Sequence, residues 1–220
     1  MPDRNAPRPR NPDPRTRKST GPTSGGSRDQ RNPITIVSGL PRSGTSLMMQ
    51  MLAAGGLPLL TDGQRAADPD NPRGYFELEA VKRTKQDPSW LAEAPGRAVK
   101  MVHLLLRDLP ADRSYRVILM KRRLEEVVRS QQAMLDRTGK TGAPLPPEKL
   151  IAAFQSQYRR IETWLAGQDN FDVLYISYNE LIADPAPAIA AVNAFLGGTL
   201  DEQAMRTVVD ASLYRQRSEK

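Results

Sequence analysis

Residues 34–52, Ile-Thr-Ile-Val-Ser-Gly-Leu-Pro-Arg-Ser-Gly-Thr-Ser-Leu-Met-Met-Gln-Met-Leu, restrict the possible folds of this chain more than any other stretch. A β-branched run, Ile34 to Val37, passes directly into a Gly/Pro/Ser loop and then into apolar residues at helical spacing, Leu47, Met48, Met51 and Leu52. The pattern predicts strand, tight loop, helix. Gly39 and Gly44 enclose four residues, the spacing at which backbone N–H groups of a turn and a helix N-terminus converge on a phosphate. A nucleoside triphosphate loop follows its second glycine with Lys and then Ser or Thr, to reach the terminal phosphates and hold magnesium. Here Thr45 and Ser46 follow Gly44 directly, and the cation, Arg42, lies inside the loop. The stretch is expected to cradle an oxyanion without the means to handle a γ-phosphate.

Beyond it, the apolar pattern alternates between the two periods. The first helix is expected to stop near Gly55-Gly56, and Thr61 to Tyr75, with Asp62, Asp68, Asp70 and Arg73, reads as a long surface loop. A helix is predicted from Glu77 to about Gln86, followed by a short one at Trp90-Leu91. Strands are predicted at Ala98–His103, Tyr115–Met120 and Phe171–Ile176. Helices are expected after Arg123, from Glu148, around Asn179–Ile182 and over Pro185–Leu196. Strand runs that are continuously apolar point to a sheet covered on both faces. The expected fold is a three-layer α/β domain with a mainly parallel sheet of about four or five strands and a P-loop-like phosphate-binding loop.

Composition removes several chemistries. The 220 residues contain no cysteine and one histidine, so thiolate zinc, a cysteine nucleophile and a histidine metal cluster are all excluded, and no metal is expected. No apolar run approaches the roughly 18 residues needed to cross a bilayer, and a cytoplasmic protein is the expectation. Of the net charge of +7, +5 lies in residues 1–32, where eight Lys/Arg face three Asp in a Pro/Arg/Ser/Gly-rich setting with little to bury. That arm is expected to be a disordered, solvated leader rather than a nucleic-acid element. Residues 33–210 then form one domain, and 211–220 a basic tail.

The loop Gly39-Leu-Pro-Arg-Ser-Gly-Thr-Ser-Leu47 resembles the 5′-phosphosulfate loop of sulfotransferases that use 3′-phosphoadenosine 5′-phosphosulfate (PAPS), in which Lys or Arg precedes Ser-Gly-Thr. Two further stretches resemble that family, in the family's order. In Val117-Ile-Leu-Met-Lys-Arg-Arg-Leu-Glu-Glu-Val-Val-Arg-Ser130, Arg122 ends a strand and Ser130 follows eight positions later, as in the 3′-phosphate element. Arg123, Leu124 and Glu126 stand where the family has Asn, Pro and Asp, which leaves the choice between Arg122 and Arg123 open. Val173-Leu-Tyr-Ile-Ser-Tyr-Asn-Glu-Leu-Ile-Ala-Asp-Pro185, with Phe195-Leu-Gly later, resembles the third stretch, with Asn179 in place of the usual Glu.

The resemblance implies transfer of a sulfuryl group from PAPS to an acceptor hydroxyl or amine, with release of adenosine 3′,5′-bisphosphate. It assigns Pro41, Arg42, Ser43, Gly44, Thr45 and Ser46 to the 5′ side, Arg122 and Ser130 to the 3′-phosphate, and Tyr178 to the adenine. Arg42 is the candidate for the charge that develops on transfer. Two residues compete as general base. His103 lies in Lys100-Met-Val-His-Leu, one residue longer than the family's Lys-Thr-His-Leu-Pro, and a one-residue insertion in a strand turns a side chain to the other face. Glu77 answers to the Glu that follows the first helix in Golgi-type and tyrosyl-protein members, with Asp62 and Asp70 behind it. No family Arg-Lys-Gly triplet occurs; Arg215 and Arg217 of the tail are its possible substitutes. The acceptor, whether a small molecule, a carbohydrate or a peptide, is not legible. A P-loop kinase or hydrolase and a non-catalytic nucleotide-binding module are the competing readings.

Overall fold

In the computed structural model, which describes residues 33–68, 71–139, 142 and 145–210, the β-branched stretch becomes strand β1 (Ile34–Gly39), with every residue buried. It pairs on both sides: with β2 (Ala98–Val102) and with β3 (Tyr115–Lys121), and β3 pairs in turn with β4 (Phe171–Ser177). All three pairings are parallel, in the order β2-β1-β3-β4. The chain therefore leaves β1 toward one neighbour and comes back to the other side. A crevice opens between β1 and β3 at their C-terminal ends, where α/β sheets of this order bind ligands.

The period-2 alternation of side chains sorts two cores. Val37, Ile118, Met120 and Ile176 face helices α1 (Thr45–Ala54), α4 (Tyr178–Ala183), α5 (Pro185–Leu196) and α6 (Glu202–Thr207), meeting Met48, Leu52, Leu181, Val192 and Met205. Ile36, Val117 and Leu119 face the other way, onto Val127 of α2 (Leu124–Thr138) and Tyr158, Ile161 and Leu165 of α3 (Pro147–Ala166). Covering both faces explains why the strands read as unbroken apolar runs. Each fully buried aliphatic side chain contributes about 1.5–3 kcal/mol.

The expected three-layer α/β fold is present, with differences in detail. The helix expected over 77–86 shrinks to a 3₁₀ turn, Glu79–Arg83. Phe76 has φ 52, and Leu78 is extended, so no helical backbone can begin at Glu77. At the other end Thr84 donates its hydroxyl to the Val81 carbonyl and accepts from Trp90 Nε1, a local alternative to helix propagation. Strand β2 stops at Val102, and His103 opens a second 3₁₀ turn, His103–Asp108. Helix α6 was not anticipated; Asp201 caps it by accepting from Ala204 N–H. The arm (1–32), the tail with Arg215 and Arg217, Asp70 and part of the 138–147 loop lie outside the described residues.

Candidate active site

The loop after β1 owes its shape to three residues in the left-handed half of backbone space. Gly39 (φ 154) admits no side chain: a Cβ there would stand 2.4 Å from Ser43 Oγ and 2.8 Å from the Met120 carbonyl. Arg42 has φ 70, and Gly44 (φ 98) would drive a Cβ to 2.3 Å from the Tyr178 ring. Ser43 is fully buried and donates its hydroxyl to the Leu40 carbonyl at 2.7 Å, closing the turn from beneath. The backbone is thus wound tightly around the start of α1, whose first N–H groups have no intrahelical acceptor.

Above it lies a cavity of about 470 Å³, with Pro41, Arg42, Gly44, Thr45, Ser46, Arg122, Ser130 and Tyr178 on its wall. Arg42 Nε donates to Ser130 Oγ at 3.0 Å, joining the loop to α2 across 88 residues of sequence. Arg122, at the end of β3, donates to the Arg42 carbonyl (3.1 Å) and to Glu126 Oε2 (3.0 Å), and its guanidinium lies 4.6 Å from the centre of the Tyr178 ring. Glu126 is fully buried and also accepts from Asn179 Nδ2 at 3.0 and 3.1 Å. A buried carboxylate is tolerable here because an Arg and an amide share it.

The opposite wall comes from β2 and the 61–77 loop. Lys100 Nζ reaches the Tyr75 carbonyl, Glu77 Oε1 (3.3 Å) and Ser46 Oγ (3.5 Å). Burial pulls the Lys100 ammonium below the ordinary lysine value, and the Glu77 carboxylate opposes that shift. Arg65 also bonds Glu77 Oε1 (3.1 Å) while its guanidinium lies 3.3 Å from the Tyr75 ring centre. The Tyr75 hydroxyl donates to Asp68, and burial together with that carboxylate pushes the phenol up to about 12. Phe76, in its left-handed conformation, is half-buried against the core of α1 and α6, while Tyr75 and Glu77 on either side of it face the cavity. Arg73 fastens this loop to the end of the fold, donating to the Val208 carbonyl at 2.7 Å and pairing with Asp210 at 3.2 Å.

The family model for the sulfotransferase domain matches residues 32–220. The chain belongs to the sulfotransferase family. Its fold is shared by sulfotransferase STF1 from Mycobacterium tuberculosis H37Rv, at 20% identity and TM-score 0.50, over 83% of this chain and 73% of that one. The sulfotransferase domain of the curacin biosynthetic pathway is 15% identical, with TM-score 0.49 over 83% and 89% of the two chains. Retinol dehydratase, solved with androsterone and the inactive cofactor PAP, is 18% identical, with TM-score 0.45 over 82% and 64%. No curated protein matches the sequence.

Within this sulfotransferase fold, most of the residues singled out in the sequence share one cavity, with Glu77 on its far wall. Ser43 turns inward beneath the loop. Of the two adjacent arginines, Arg122 is on the wall; Arg123 contributes its backbone N–H to Asn179 Oδ1. The two departures from the family pattern, Glu126 and Asn179, turn out to be hydrogen-bonded to each other. Lys100, Arg65 and Tyr75 were missed as site residues. Lys100 did leave a signal, since a lysine inside an apolar strand covered on both faces needs a partner. Among the described residues no group of three or more His, Asp or Glu is placed to hold a metal, and no helix is long and apolar enough to cross a membrane.

His103 lies off the cavity wall, 1% exposed, with Nδ1 3.3 Å from the Gly39 carbonyl and Nε2 3.1 Å from the Gln157 side-chain amide. A neutral ring donates from Nδ1 and accepts from the amide once Gln157 is turned to present its NH₂. Burial holds its pKa below the ordinary histidine value, against the two hydrogen bonds. The unfolded chain then takes up a proton near pH 6.5 that the fold does not. Stability is expected to fall as pH drops below about 6.5 and to level off below the folded pKa. Denaturant midpoints of the wild type and His103→Gln between pH 8 and 5 check this; the variant should lose that part of the slope.

Proposed function

We propose that the protein transfers a sulfuryl group from PAPS to an acceptor hydroxyl and releases adenosine 3′,5′-bisphosphate. The observation that carries this reading is the convergence of Arg42, Arg122 and Ser130 beside the N-terminus of α1. This set of guanidinium, hydroxyl and N–H donors suits two separate phosphate-type anions and lacks the lysine of a triphosphate loop. The donor brings an activated sulfuryl group with its own leaving group.

The chain's own residues then have distinct tasks. N–H groups of the loop with the hydroxyls of Thr45 and Ser46 hold the 5′ side, and Arg122 with Ser130 the 3′-phosphate. Tyr178, fixed between Gly44 and Arg122, forms the wall for the nucleoside. Arg42 supplies positive charge where negative charge grows on the oxygen being released, and Lys100 stands opposite with its ammonium near Ser46. Glu77, on the cavity wall with Oε1 held by Arg65 and Lys100, is the carboxylate that takes the acceptor's proton.

Calorimetric titration tests the donor reading. Adenosine 3′,5′-bisphosphate should bind more tightly than ATP with Mg²⁺; the reverse order, or binding of neither, would overturn the reading. Ser130→Ala removes one hydroxyl from the 3′ side and should weaken bisphosphate binding about tenfold, the worth of one charged hydrogen bond.

A further inference from the structure

We propose that Asn71 recognises the sulfuryl group itself, its side-chain amide donating a hydrogen bond to a sulfuryl oxygen of PAPS; this rests on the sulfuryl-transfer reading and deepens it. Asn71 lies on the cavity wall in the 61–77 loop, and its Nδ2 stands 2.9 Å from Ser46 Oγ of α1. The contact joins the loop that carries Glu77 to the cradle formed after β1.

The loop holds its shape without that side chain. The Asn71 backbone N–H donates to the carbonyl and to Oδ1 of Asp68, both at 2.9 Å, and the Asn71 carbonyl accepts from Gly74 N–H at 3.0 Å. Arg65 with Glu77 and Arg73 with Asp210 fasten the segment further. An amide that stopped at a neutral hydroxyl would add little to these bonds. The second hydrogen of the Asn71 amide has no partner among the described residues.

In-line transfer sets the sulfur between the oxygen that leaves and the hydroxyl that attacks, hence between the cradle and Glu77. Lys100 marks that interval, with Nζ 3.5 Å from Ser46 Oγ and 3.3 Å from Glu77 Oε1. Ser46 therefore accepts from an amide and an ammonium, and its own proton faces the Tyr75 carbonyl at 3.5 Å, a long bond that an anionic oxygen displaces. Three kinds of donor gather at one point. In the step the acceptor oxygen bonds to sulfur, its proton passes to Glu77, and the bond from sulfur to the 5′-phosphate oxygen breaks with its electron pair leaving on the bisphosphate. Asn71 neither gains nor loses a proton; it holds a sulfuryl oxygen, which only accepts hydrogen bonds. The Asp68 carboxylate behind it is not part of the cavity wall and is bonded by the Tyr75 hydroxyl and the Asn71 N–H.

Calorimetric titration with PAPS and, separately, with adenosine 3′,5′-bisphosphate tests the assignment, because the product keeps both phosphates and lacks the sulfuryl group. Asn71→Ala should weaken PAPS about tenfold and the bisphosphate less than about twofold. Asn71→Asp should widen the gap between the two ligands further, since it sets a carboxylate against the sulfuryl oxygens. Gln50→Ala removes the other side-chain amide on the described cavity wall, one helical turn beyond Ser46, and should leave the ratio of the two affinities unchanged. Equal weakening of both ligands would make Asn71 a structural tie. That result, an unaltered PAPS affinity, an Asp as good as the Asn, or the same change of ratio in Gln50→Ala would overturn the assignment. If the wild type binds the bisphosphate, any of these outcomes removes the role of Asn71 alone, whereas a wild type that binds neither ligand removes the donor reading with it.

Discussion

Replacing Arg122 with alanine is expected to abolish measurable binding of adenosine 3′,5′-bisphosphate and to cost the fold about 3–5 kcal/mol, the penalty for leaving a buried ion-pair partner uncompensated. Arg122 joins both functions in one side chain. Its Nε neutralises Glu126, which has no exposed surface, and another nitrogen holds the Arg42 carbonyl in the phosphate loop. Asn179 remains as a donor to Glu126, so the loss belongs at the lower end of that range. The double variant Arg122→Ala/Glu126→Gln separates the two effects. It should recover most of the stability, because the stranded charge is gone, and none of the binding. Urea denaturation beside calorimetry measures both; recovery of binding in the double variant would mean that Arg122 acts only as a structural counter-ion.

Glu77→Gln is expected to lower kcat by about 10²- to 10⁴-fold, the usual contribution of a positioned general base, with little change in bisphosphate affinity. The amide keeps the shape and one acceptor oxygen for Arg65 and Lys100 but cannot take a proton. His103→Gln should leave turnover far less affected, since the imidazole is buried off the cavity and engaged by Gly39 and Gln157. Steady-state rates of the two variants with one acceptor decide the matter, and the opposite pattern would assign the base to His103. Phe76 belongs to the same argument. An aromatic residue at φ 52 is strained, and it is held by packing its half-buried ring against the core of α1 and α6 while its neighbours face the cavity.

Local pattern was enough for the strand-loop-helix at 34–54, for the four strands and for five of the six α-helices, because periodicity and glycine stops are properties of neighbouring residues. It failed at 77–86, where Leu78 and Val81 fit a helical face but the backbone at Phe76 and the Thr84–Trp90 bond fixed a different path. The two stretches proposed to hold the donor's phosphates could be picked out for the same reason: Gly39 to Ser46, and Arg122 with Ser130, each lie within one strand-to-helix junction.

What the sequence determined by itself was thus the α/β class, the strand-loop-helix expected to cradle an oxyanion, and the family resemblance, all written in short stretches whose local backbone demands are strong. Only the tertiary structure decided which residues meet. The order β2-β1-β3-β4 places Arg42 against Ser130, and the 61–77 loop lays Glu77 and Arg65 beside Lys100. It also turned Ser43 and His103 away from the cavity and joined Glu126 to Asn179 across 53 residues. Those partnerships depend on strand order, on which face of a strand or helix a side chain leaves, and on what covers that face. Such contacts, being long-range, leave no mark in the spacing of residues along the chain.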